Sequence, residues 1–201
     1  MVSYLLLGAT FGFVAVVQPG PMQAYLLAQA AGHGTRRTLP AAFAPLLSDI
    51  PVVTLSLLLL SRLPARFILG LRAAGGAFVL YLAWQSFRAW RRRSGKSPSA
   101  PHTAARGLFQ AVAVNLLSPN PWIAWSLVLG PLLLKGWRES PQSGVAMLAG
   151  FYGVMVAGTA ATIALFGAAG KLGPGVSRAL IGVSAVALMS FGCYLLWSVI
   201  R

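Results

Sequence analysis

Acidic side chains are almost missing from this chain. Asp49 and Glu139 are the only two in 201 residues, against 16 Lys and Arg. So few acids rule out the paired carboxylates of general acid–base hydrolysis, and with one acid inside an apolar segment no His–acid metal set can form there either. Charged residues make up 9% of the chain, whereas ordinary soluble domains carry roughly 25%. Cys193 is the only cysteine, so no intrachain disulfide forms and the redox compartment is unconstrained. No Lys or Arg precedes Arg36, so the positive n-region of a secretory signal is missing. The first apolar segment is therefore expected to stay in place as a span.

Apolar runs dominate what is there. Hydrophobic residues are 57% of the chain, and several stretches exceed the ~18 residues that mark a membrane-crossing helix. Runs bounded by charge and turn residues fall at about 3–31, 39–61, 67–89, 107–134, 143–169 and 175–200. The expected fold is an all-α membrane protein of six transmembrane helices. The net charge of +14 would suit nucleic acid if it formed one patch. Here the basic residues sit in short segments between spans, as topology signals do, so the lipid bilayer is the expected partner and nucleic acid is not. Arg36, Arg37, Arg88, Arg91, Arg92, Arg93, Lys96, Arg106, Lys171 and Arg178 lie on one face, and the remaining six on the other. That bias places the basic loop 90–106 in the cytoplasm and both termini outside.

The chain also echoes itself. Shifted by 100 residues, VVQPGPMQAY (16–25) lies over LLSPNPWIAW (116–125), so Pro19 falls on Pro119 and Pro21 on Pro121. A polar residue precedes each doublet, Gln18 or Ser118. Three spans per half is an odd number, so the second half enters the membrane the other way up. The division is a three-helix repeat at 1–89, the loop 90–106, and an inverted repeat at 107–201.

The prolines break the first and fourth helices. A straight helix over 3–31 would be ~43 Å long, against a ~30 Å hydrocarbon core. Two prolines remove two backbone donors in mid-membrane, which is tolerated only beside protein or a water-filled cavity. Paired breaks in inverted halves point to a transporter's binding site. Its expected substrate- or ion-binding residues are Gln18, Pro19, Gly20, Pro21 and Gln23 at the first break, and Ser118, Pro119, Asn120 and Pro121 at the second. Backbone groups freed there are expected to grip the solute, with Gly20 allowing close backbone approach. Tyr25, Asn115, Thr159 and Thr162 are further polar candidates for the same cavity.

Asp49 joins them from the centre of the second span, in APLLSDIPVV. A charge there costs about 2.5–3.5 kcal/mol on insertion scales, so function is the default reading. It fits a proton carrier, a counter-ion to a substrate ammonium, or a ligand to a metal cation. Pro45 and Pro51 flank it and are expected to loosen the helix. One membrane acid without His or Lys in any span supplies no catalytic set and no resident metal site. The chain is therefore read as neither an enzyme nor a cofactor protein. Glycines 75, 76, 150, 153 and 158 are read as helix-packing residues, and Arg72 as snorkelling to the outer interface.

Together these motifs resemble the lysine exporter (LysE/RhtB-type) superfamily of amino-acid efflux permeases. The resemblance rests on Pro19-Gly20-Pro21 in the first span, Asp49 in the second, GGAFVLYLAW (75–84) in the third and Asn120-Pro121 in the fourth, and covers nearly the whole chain. Ser48 stands where the family usually has Gly, and Trp122 where it has Lys, which leaves Asp49 without an obvious partner. The resemblance implies a multi-pass protein of the bacterial inner membrane, a homodimer, and driven export of amino acids or related small solutes, with protons as the coupling ion. Two alternatives stand beside it: a metal-cation exporter of the same superfamily, and a non-transporting membrane assembly protein.

Overall fold

The chain is described by a computed structural model over residues 1–18, 20–58, 65–91 and 103–200. Within these residues it is helical throughout. Helix α1 (Val2–Val17) and α2 (Pro21–His33) form a pair bent by 64°. A short helix α3 (Thr35–Thr38) and a 3-10 turn (Leu39–Phe43) lead into α4 (Ala44–Leu58), then α5 (Ala65–Arg91). The second half begins with α6 (Ala104–Leu116) and α7 (Pro119–Ala124), continues through a π-helical turn at Trp125–Leu129 and ends its first arm with α8 (Gly130–Glu139). The α6 arm and the segment Pro119–Glu139 are bent by 52°. Two long helices follow, α9 (Pro141–Gly170) and α10 (Pro174–Ile200).

Local chemistry sets these boundaries. Ser140 and Thr103 cap α9 and α6 by accepting from the amides of Ser143 and Arg106, and Pro141 starts α9 where a missing amide costs nothing. Gly34 ends α2 at a φ of 82°, a left-handed conformation suited to glycine. Ser118 is extended at ψ 133°, as a residue before proline should be. Pro45 enters α4 straight after the 3-10 turn, whereas Pro51 lies inside the helix, which continues through it.

Thr35–Leu58, Pro141–Gly170, Gly175–Val199 and the two bent pairs are long and apolar enough to cross a membrane. The distribution of side chains is that of a membrane protein. Ser48, Asp49, Ser56, Asn115 and Ser126 are buried, while Phe13, Leu127, Leu165 and Val186 are exposed on the outside of the bundle. Lipid covers such a surface; water would not leave it stable. This is an all-α, multi-pass membrane protein.

Helix α1 packs along α9, α5 along α10, and α6 against α4. The first pair is joined by glycine. A Cβ on Gly8 or Gly12 of α1 would run into the backbone of Met147 or Phe151, and one on Gly150 of α9 into the Leu5 carbonyl. Gly75, Gly76 and Gly158 are packed as tightly, against Leu117, Leu196 and Val16. Gly153 departs from the expectation: a Cβ there meets nothing within 4 Å. The Arg72 guanidinium reaches the end of α10, donating to the Ser198 carbonyl at 3.2 Å, near the negative end of that helix.

Candidate functional site

Both breaks open on one cavity of about 300 Å³. The first contributes Gln18, Gly20, Pro21 and Gln23, the second Ser118, Asn120 and Pro121, and α4 contributes Asp49. Pro119 is buried and does not line it, and Pro19 lies outside the described residues.

Asp49 is 2% exposed and is held from three elements of the second half. Asn115 of α6 donates to Oδ1 at 3.2 Å, while the Trp125 indole and the Tyr152 hydroxyl both donate to Oδ2 at 3.2 Å. The other amide hydrogen of Asn115 goes to Ser48 Oγ at 2.7 Å, and Ser48 in turn donates to the Ala44 carbonyl at 3.0 Å. Asn115 is thereby fixed as a donor toward the carboxylate. The expectation that Asp49 lacks a partner is corrected: three neutral donors replace the missing cation. The π-helical turn begins at Trp125. Such wide turns are rare and collect at functional sites.

Two of these partners were legible from the sequence. Asn115 was a polar candidate, and Trp125 lies inside the echoed motif. Tyr152 was missed, although a tyrosine in mid-span, away from the interfaces where Tyr gathers, is a usable signal. Tyr25 is buried against α6 instead, its hydroxyl 3.0 Å from the Gly107 carbonyl and 3.1 Å from Gln110 Oε1. Thr162 bonds back to Gly158 of its own helix, and neither threonine lines the cavity.

The breaks themselves correct a second expectation. Their carbonyls are not all free. Gln23 Nε2 donates to the Val16 carbonyl at 2.6 Å, and Trp122 Nε1 to the Leu116 carbonyl at 2.9 Å. The two acceptors are 100 residues apart, the same offset as the proline motifs. Each half thus satisfies the last turn of its broken helix with a side chain from just beyond the break. Trp122 has this structural task at the second break. Trp122→Phe keeps the ring and removes the donor, so it should lower stability by about 1 kcal/mol; thermal unfolding in detergent measures this.

Gly20 also differs from expectation. Its φ of −170° is ordinary extended backbone, and a Cβ there meets nothing within 4 Å. Close approach is not why it matters; it borders open cavity. Gly20→Ala should fold and export like the parent, while Gly20→Leu should fill the cavity and slow export. A flux comparison of the two variants at matched protein levels decides it.

Among the described residues no group of three or more His, Cys, Asp or Glu is gathered to hold a metal. Two discontinuous apolar helices meeting at a largely apolar cavity that holds one carboxylate define a membrane carrier in class. Residues 13–199 match the family model of the LysE type translocators, and the chain belongs to that family. It is a membrane efflux transporter rather than a member of an enzyme family. No curated protein and no solved structure gives a significant match.

Proposed function

We propose that this chain is a secondary transporter that exports amino acids or related small solutes across the bacterial inner membrane, with Asp49 as the coupling group. The observation that carries this reading is the single cavity shared by Asp49 and both helix breaks. The N-terminus of α2 presents the amides of Met22 and Gln23 toward the break, where a positive helix end favours a carboxylate. Pro119 and Pro121 strip two donors from the first turn of α7. The carboxylate of a zwitterion therefore belongs at the first break and its ammonium at Asp49.

Helix α5, 27 residues long and so ~40 Å, supplies the sixth span beside the five apolar ones. The inverted-repeat reading has support in the packing: α1 lies on α9 as α6 lies on α4, and α5 pairs with α10. These are equivalent pairs when the halves are exchanged. In this reading the loop 90–106 is cytoplasmic, and Ser97→Cys should be labelled by impermeant reagents only after cells are opened. Labelling in intact cells would reverse the orientation.

Purified protein in vesicles tests the function. Vesicles loaded with a mixture of labelled amino acids and given a pH gradient should lose one subset faster than empty-protein controls. Equal loss with and without protein would remove the transport reading.

A further inference from the structure

Resting on that export reading, we infer that the carried solute is an amino acid with an apolar side chain, and that dibasic and polar amino acids are excluded. The cavity's charge is the first reason. Among its described lining residues Asp49 is the only ionisable group, with no Lys, Arg or His. One carboxylate neutralises one ammonium. A second cationic group on the side chain would sit unpaired beside apolar walls, which costs several-fold more than an unpaired neutral group.

The second reason is what stands next to Asp49. Trp125, which donates to the carboxylate, also belongs to a packed apolar cluster with Leu129, Phe151, Phe11 and Met155. All five line the cavity. Trp125 and Phe151 meet edge to face at 5.4 Å between ring centres, which fixes that wall. An α-ammonium at Asp49 therefore places the side chain against this wall. A hydroxyl or amide there finds few partners, because the polar lining groups cluster at the breaks. Sites of this kind select by methylene count, about tenfold or more for each group gained or lost.

Counterflow in reconstituted vesicles tests the inference with leucine, methionine, alanine, threonine and lysine as probes. Leucine and methionine should exchange at least about tenfold faster than alanine, and lysine and threonine should barely exchange. Met155→Asp should raise lysine exchange relative to leucine. If that variant is not recovered, the wild-type series alone decides. Lysine or threonine matching leucine in the wild type overturns the inference and leaves the export reading standing. Failure of all five to exchange, with the protein correctly inserted, overturns the inference, and efflux of the labelled mixture then decides the export reading separately.

Discussion

Asp49→Asn should insert normally and export nothing above background. The side chain keeps its size, so the α4 helix and the neighbouring packing stay in place. What changes is the acceptor set. Asn115, Trp125 and Tyr152 all donate to the carboxylate, and an amide offers one oxygen and a donor where two oxygens stood. One donor is left facing an NH2 group, a loss of about 1–3 kcal/mol. That is within what a membrane bundle survives. On the proposed reading the loss of charge abolishes coupling, because among the described residues no other acid lines the cavity. Flux from loaded vesicles, normalised to inserted protein, measures it; wild-type export by the variant would leave Asp49 a purely structural group.

A second large effect belongs to the α1–α9 contact. Gly150→Leu should strongly destabilise the bundle, by about 1–3 kcal/mol or more, because its Cβ would enter the Leu5 carbonyl. Backbone cannot give way as a flexible side chain can. Gly153→Leu, one turn along the same helix, should leave the unfolding temperature unchanged, since open space surrounds that position. Gly144→Leu should also be costly, as its Cβ would meet the Trp137 ring. Paired melting curves in one detergent compare the two leucine variants directly. Equal effects at 150 and 153 would mean that helix propensity, not packing, governs this face.

Much of this was legible in the sequence because membrane physics leaves few choices. Apolar length fixed the helical segments, and the proline doublets at 19–21 and 119–121 located both breaks within a residue or two of the observed ends. The cost of a buried carboxylate singled out Asp49. Other features were not legible, for identifiable reasons. Gly153 looked like a packing glycine and Gly20 like a point of close backbone approach, because composition does not tell which positions meet a neighbour. The capping contacts of Gln23 and Trp122 were hidden, since a side chain that caps a carbonyl six or seven residues back follows no helix period. Tyr152 comes to Asp49 from 103 residues away, a pairing only tertiary packing reveals.

Accessibility of the two breaks during transport is the most direct measurement. With Cys193 replaced by serine, Gly20→Cys and Asn120→Cys are each modified by a small water-soluble thiol reagent in vesicles, with and without saturating transported solute. Both positions border the same cavity, so both should react, and solute should slow both reactions in parallel. Unchanged modification at either position while export proceeds would place the solute path elsewhere and reduce the paired breaks to kinks.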